Sequence, residues 1–311
     1  MKLKNTTVKI ITLLYFLLIA TNTWSAALSW INKPINNGIY PDGIDGKAKV
    51  STNGRYIAFS SSSANLVDAD VNLHQDLFIK DTQTITGTQF STGTYDFSKP
   101  TSDGQMIAFI SDDPDLPLAN GEELLYIKNL LTGVITAITY NAGMDPIRAI
   151  DDIYLTDDAH CLYFLSHKNI AANDTNGYQD VYRVDLQSNI FDLVSINTSG
   201  QAPVNSGYSS TLLDVSANGR YVTFTAKSNE LHSDATSNNW LGYIRDMQFN
   251  STHIFALNQL SNPAYETTRI NYTNTVVSNS GKVYFCSNLD DLVANDNNIV
   301  ADIFFKVSLQ A

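Results

Sequence analysis

Five copies of one short motif, a Gly-containing turn ahead of an apolar strand in most of them, and the lack of a long 3.6-residue period predict an all-β fold built by repetition. The motif reads STNGRYIAFS from residue 51, TSDGQMIAFI from 101, TDDAHCLYFL from 156, SANGRYVTFT from 216 and SNSGKVYFCS from 278. Its shared aromatic falls at Phe59, Phe109, Phe164, Phe224 and Phe285, at intervals of 50, 55, 60 and 61 residues. Such intervals match the longer blade-sized repeats.

Each repeat has the same internal order. A short strand ends in Ser or Thr, and Asn53-Gly54, Asp103-Gly104 and Asn218-Gly219 then predict a two-residue hairpin with positive φ at both central positions. An apolar second strand follows: RYIAF, QMIAF, CLYFL, RYVTF and KVYFC. After a polar loop comes a third strand: DLFIKD, LLYIKN, DVYRVD, LGYIRD and DIFFKV. A fourth closes the unit, as at residues 192–197. Four short antiparallel strands repeated radially form a propeller blade. The fifth copy stops after its third strand, and LSWIN at 28–32 reads like LVSIN at 193–197, the fourth strand of the third copy. The N-terminal segment is therefore expected to complete the last blade and remove an open sheet edge. The expected fold is a five-bladed β-propeller of four-stranded antiparallel blades over residues 28–311.

Residues 1–27 read as a secretory signal peptide. Lys2, Lys4 and Lys9 precede an apolar run over 10–20 that is too short to span a bilayer, and Ser25-Ala26-Ala27 offers small residues for cleavage. The protein is expected to be periplasmic or secreted, with no stable membrane insertion. Its formal charge is −12, and loss of a leader with three lysines and no acid takes it to −15. That balance lacks the basic footprint of a nucleic-acid binder and favours solubility. Cys161 and Cys286 lie in the third and fifth repeats, too far apart for a bridge, and are expected to be free thiols.

The pattern S-x-D/N-G-R-Y-x-x-F-x-S, then N-L-V, D-x-N and D-x-F-x-x-D, resembles the TolB-like, WD40-like (PD40) propeller repeats of bacterial envelope and secreted proteins. The resemblance spans nearly all of residues 28–311. The second copy departs most, with Pro114 and Pro117 where others carry N-L-V. Relatives of this kind attach an additional α/β domain or a hydrolase domain, for which this chain has no room. Activities that depend on those domains are not expected of it.

Candidate chemistry begins with the loop after N-L-V. Asp70, Asn72 and Asp76, then Asp174, Asn176 and Asp180, then Asp296, Asn298 and Asp302 place oxygen donors at i, i+2 and i+6. That spacing suits Ca²⁺, but no Glu closes the loop as in an EF-hand. Turn formation by Asp and Asn side chains accounts for the same pattern without a metal, so no cofactor is expected. Asp81, Asp185, Asp246 and Asn129 end third strands and are expected to form turns. Of the innermost strands' acids, Asp45, Asp96, Asp152 and Asp214 share no register. The positions matching Asp214 are Lys49, Lys99, Tyr154 and Val276, a mixed ring. Glycoside hydrolysis needs two carboxylates facing one bond, and that pair is missing from the pattern. His74, His160, His167, His232 and His253 sit in separate contexts, without a zinc motif.

These readings point to a monomeric, non-catalytic binding or scaffold module for a protein or small-molecule partner, with no catalytic residue assigned. A carbohydrate-active enzyme or lectin-like sugar binder on the propeller face is the alternative.

Overall fold

The computed structural model describes residues 31–32, 43, 45–67, 75–84, 87–89, 94–140, 145–148, 150–203, 210–236, 239–258, 260–264, 274–296 and 300–306. The chain forms two compact units, Met1–Lys33 and Pro34–Ala311. In the first, Ile31 and Asn32 form a turn rather than the end of the strand expected at 28–32. The rest of that segment and the leader lie outside the described residues.

The second unit is a five-bladed β-propeller. Blade 1 orders β1 (Asp45–Val50), β2 (Tyr56–Ser61), β3 (Asp76–Asp81) and β4 (Gly87–Gln89) as an antiparallel meander. Blade 2 repeats this with β5 (Thr94–Phe97), β6 (Met106–Ser111), β7 (Leu124–Asn129) and β8 (Ile135–Ala137). A short ribbon of β9 (Thr139–Tyr140) and β10 (Asp145–Pro146), unforeseen in the sequence, leads into blade 3. Blade 3 comprises β11 (Ile150–Leu155), β12 (Cys161–Ser166), β13 (Asp180–Asp185) and β14 (Ile190–Leu193). Blade 4 comprises β15 (Ser210–Val215), β16 (Tyr221–Ala226), β17 (Leu241–Asp246) and β18 (Ser251–Ile254). Blade 5 has three strands among the described residues, β19 (Val276–Val277), β20 (Val283–Ser287) and β21 (Asp302–Lys306).

The hairpin joining the first two strands of each blade is built differently from expectation. The turn spans four residues and is closed by an N–H···O=C bond from the fourth to the first, as from Gly54 to Ser51 at 2.8 Å. The same bond recurs at Gly104–Thr101, Ala159–Thr156, Gly219–Ser216 and Gly281–Ser278, at 2.8–2.9 Å. Positive φ falls on that fourth residue alone, including Ala159 at 55°. A four-residue turn ending in a left-handed residue is another common hairpin solution. The preceding Asn or Asp does not adopt positive φ. Its side chain instead accepts the hydroxyl of the first residue, as Asp103 does from Thr101 at 2.6 Å and Asn218 from Ser216 at 2.8 Å.

Alternation along the second strand of each blade sends neighbouring side chains to opposite faces. The shared aromatic on one face stacks on the third strand. Phe59–Phe78, Phe109–Tyr126, Phe164–Tyr182, Phe224–Tyr243 and Phe285–Phe304 have ring centroids 5.5–5.8 Å apart, the last pair tilted. The opposite face packs on the aromatic face of the following blade. Ala58, Leu77 and Ile79 of blade 1 meet Phe109 and Tyr126 of blade 2 in one core, and like cores join blades 2 and 3, 3 and 4, and 4 and 5.

Blade 5 shows the corresponding face to solvent. The blade 2 residues Ala108, Leu125 and Ile127 are 0, 0 and 8% exposed, whereas their equivalents Tyr284, Ile303 and Phe305 are 41, 79 and 66% exposed. Tyr284 and Phe305 keep a ring contact at 6.1 Å across the strands.

Candidate functional site

The innermost strands β1, β5, β11, β15 and β19 surround the hub. Register shifts interrupt the first four of them, between Asp45 and Ala48, Thr94 and Asp96, Ile150 and Tyr154, and Leu212 and Asp214. A bulge re-aims side chains, and here it sets those that face the centre. A cavity of about 290 Å³ lies at the hub, lined from all five blades. Lys99, Tyr154, Asp214 and Val276, the residues that share one register, form part of its wall. The fifth member, Lys49, places its ammonium 5.8 Å from the centre of the Tyr154 ring. Thr52, Asp157 and Asn279, from the hairpin turns, mark the end of the cavity at one face of the disc.

Two inner-strand carboxylates fasten one blade to the next. Asp96, fully buried, accepts the main-chain N–H of Asp152 at 2.8 Å and pairs with the ammonium groups of Lys47 and Lys49, each at 3.4 Å. Asp214, buried on blade 4, accepts the main-chain N–H of Val277 of blade 5 at 2.8 Å. Burial pushes the Asp214 carboxyl above the usual carboxylate range, against the Val277 N–H and the more distant charges of Lys99 and Lys49. The Tyr154 hydroxyl donates to the Leu213 carbonyl at 2.6 Å, and burial beside these acids holds its phenol in the neutral form.

The turns link as well. Asn53 donates to the Ser102 carbonyl at 2.6 Å, and Asp157 accepts both the N–H and the hydroxyl of Ser102 at 2.7 Å. Asp157 donates its N–H to the Ala217 carbonyl at 3.0 Å, and Asn279 accepts the Asn218 N–H at 3.0 Å. Repeat spacing aligns these residues but does not show that neighbouring turns touch.

The Asp-x-Asn loops are seen best in blade 3, where Asp174, Asn176 and Asp180 come together. Asp180 accepts from the Ser195 hydroxyl at 2.6 Å and from the Asn176 amide at 2.8 Å. Asp174 accepts the Tyr182 hydroxyl and the Asn176 N–H. Burial raises the Asp180 carboxyl to about 6 despite its hydrogen bonds, with Asp174 adding to the rise. Asp76 is buried at the start of β3, Asp296 is half-buried and Asp302 exposed, while Asp70, Asn72 and Asn298 lie outside the described residues. Among the described residues no three His, Cys, Asp or Glu side chains cluster within reach of one metal ion.

Asp81, Asp185, Asp246 and Asn129 all cap turns through main-chain N–H groups two residues on, at 2.9, 3.0, 2.9 and 3.0 Å. Of the inner acids considered for sugar hydrolysis, Asp214 lines the cavity and Asp152 is not part of its wall. Two histidines do meet, contrary to their separation in sequence: His232 and His253 of blade 4 lie 6.2 Å apart, and Asp234 donates its N–H to His232 Nδ1 at 3.2 Å. Cys161 and Cys286 are free thiols.

No protein-family model matches the chain, and no curated protein matches it. Among solved structures, the β-propeller domain of the Trilobed protease from Pyrococcus furiosus, described as having an open velcro topology, is 10% identical with a TM-score of 0.52, over 86% of this chain and 70% of that one. This similarity shows the propeller fold. TolB from Acinetobacter baumannii is 16% identical with a TM-score of 0.46, over 79% of this chain and 49% of that one. An acylaminoacyl peptidase from Pyrococcus horikoshii is 9% identical with a TM-score of 0.48, over 85% of this chain and 38% of that one. The chain thus spans about half the length of that TolB.

Proposed function

We propose that this protein is an exported, non-catalytic binding module that takes its ligand or partner at the hub, on the face where the hairpin turns converge. The observation that carries this reading is the cavity of about 290 Å³ to which all five blades contribute, with charged, aromatic and aliphatic walls. Concave sites lined mostly by apolar groups with a few placed polar ones are where small ligands bind. The inner carboxylates support binding rather than turnover. Asp96 is held by two lysines and a main-chain N–H, and the other carboxylate on the cavity wall, Asp157, is engaged by the Ser102 N–H and hydroxyl.

A thermal-shift screen of the full chain against small molecules tests the reading, with Ala217→Trp at the mouth as the control. Ligands that raise the melting temperature of the wild type and not of this variant support it. Turnover of a glycoside substrate, abolished by Asp214→Ala, overturns it.

A further inference from the structure

Lys99 and Asp214 face the same cavity from blades 2 and 4. Neither forms a close ion pair, although the charges of Lys99 and Lys49 reach Asp214 from further away. Among the described residues no carboxylate lies within ion-pair distance of Lys99, and no ammonium or guanidinium lies within that distance of Asp214. Their register mate Lys49 shows the contrast, for its ammonium sits against Asp96 at 3.4 Å. Asp214 is only 5% exposed, and its one close partner across the blades is the Val277 N–H. A carboxylate taken from water without a cation is costly, and a ligand that supplies the cation recovers that cost. Between the two charges the wall is aliphatic, with Pro100, Val276 and Val277.

We propose that the hub cavity binds a small zwitterion, an α-amino acid or dipeptide with an apolar side chain, its carboxylate on Lys99 and its ammonium on Asp214. The inference rests on the reading of the hub cavity as the ligand site. A simple anion would satisfy Lys99 and face the Asp214 carboxylate. A simple cation would do the reverse. A zwitterion neutralises both, and an aliphatic side chain covers the apolar wall. The cavity volume admits one or two residues and excludes a long chain lying within it.

Isothermal titration of the full chain tests this with four probes: L-leucine, L-leucyl-L-leucine, N-acetyl-L-leucine and L-leucinamide. At least one zwitterion is expected to bind tenfold or more tightly than either capped compound. Lys99→Met should weaken the zwitterion and N-acetyl-L-leucine tenfold and leave L-leucinamide within threefold. Asp214→Asn should weaken the zwitterion and L-leucinamide and spare N-acetyl-L-leucine. Lys99→Gln serves where Lys99→Met fails to melt cooperatively. Equal affinity for capped and uncapped probes, equal losses for all probes in a variant, or no zwitterion bound at millimolar concentration overturns the proposal. A screening hit that depends on an open mouth but is not zwitterionic overturns this proposal and leaves the hub site standing. A screen with no such hit removes both.

Discussion

The Asp96 carboxylate of blade 2 accepts the main-chain N–H of Asp152 of blade 3 at 2.8 Å, and Asp152 holds a φ of 56°. Aspartate visits that left-handed region more readily than most residues, and the bond fixes it there. Asp214 and Val277 form the same link between blades 4 and 5.

Asp96→Ala should cost about 2–4 kcal/mol. It leaves Lys47 and Lys49 without their shared partner and the Asp152 N–H without an acceptor, discounted because Lys47 is half in solvent. Asp96→Asn keeps an acceptor and should recover part of the loss. Urea denaturation of the three proteins gives the comparison, and an unchanged midpoint for Asp96→Ala removes this role.

Asp180 makes stability depend on pH. Its carboxyl is raised from 3.8 to about 6, so the folded state holds the proton more tightly than the unfolded chain. Stability from this group is fully present below about pH 4 and is lost as pH rises through about 6, by at most about 3 kcal/mol. Asp180→Asn cannot ionise, so it should gain on the wild type between pH 4 and 7. A constant stability difference across that range, measured by urea melts, contradicts the assignment.

Two turn glycines separate backbone strain from collision. A Cβ at Gly54, φ 76°, meets nothing within 4 Å, whereas one at Gly104, φ 70°, would lie 2.2 Å from the Tyr56 ring of the neighbouring blade. Gly54→Ala should therefore cost about 1 kcal/mol for positive φ alone. Gly104→Ala should cost clearly more, about 2–4 kcal/mol once the packing conflict is added. Equal thermal shifts would show that the two turns do not differ in this way.

Phe305→Ala should change stability by less than about 1 kcal/mol, because the ring is 66% exposed. Ile127→Ala, at the equivalent place in blade 2 and 8% exposed, should cost about 2–4 kcal/mol. A large loss for Phe305→Ala would mean that something covers this face in solution.

Excess EDTA should leave the melting temperature unchanged, because hydrogen bonds within the blade 3 loop already engage Asp174 and Asp180. Loss of stability reversed by Ca²⁺ would make the loop an ion site. A site held at 100 times its dissociation constant contributes about 2.7 kcal/mol, enough to be seen.

The repeat made the blades legible because each copy encodes its own strands and turn. Aligning the copies also placed Lys49, Lys99, Tyr154, Asp214 and Val276 at one level, and four of these line the cavity. What lies between blades was hidden. The Asp96–Asp152 and Asp214–Val277 bonds join residues some sixty positions apart whose contact depends on bulges in the inner strands. The meeting of His232 with His253 likewise depends on how a loop folds over its own blade. The turn geometry was misread because Asn-Gly serves both two-residue and longer hairpins, and the side chain of Asn53 or Asp103 chooses between them by bonding the preceding Ser or Thr.

Among the described residues, every core that joins two blades joins consecutive ones along the chain. Synthesis from the N-terminus therefore delivers each blade beside a neighbour already made, and each newly formed blade exposes the flank that its successor will cover. A ribosome-bound chain would carry one such sticky front at a time, moving forward by one repeat per step. Tyr284, Ile303 and Phe305 expose such a flank in the folded chain, and a trapping chaperone or hydrophobic dye should find it there as well as on the growing one.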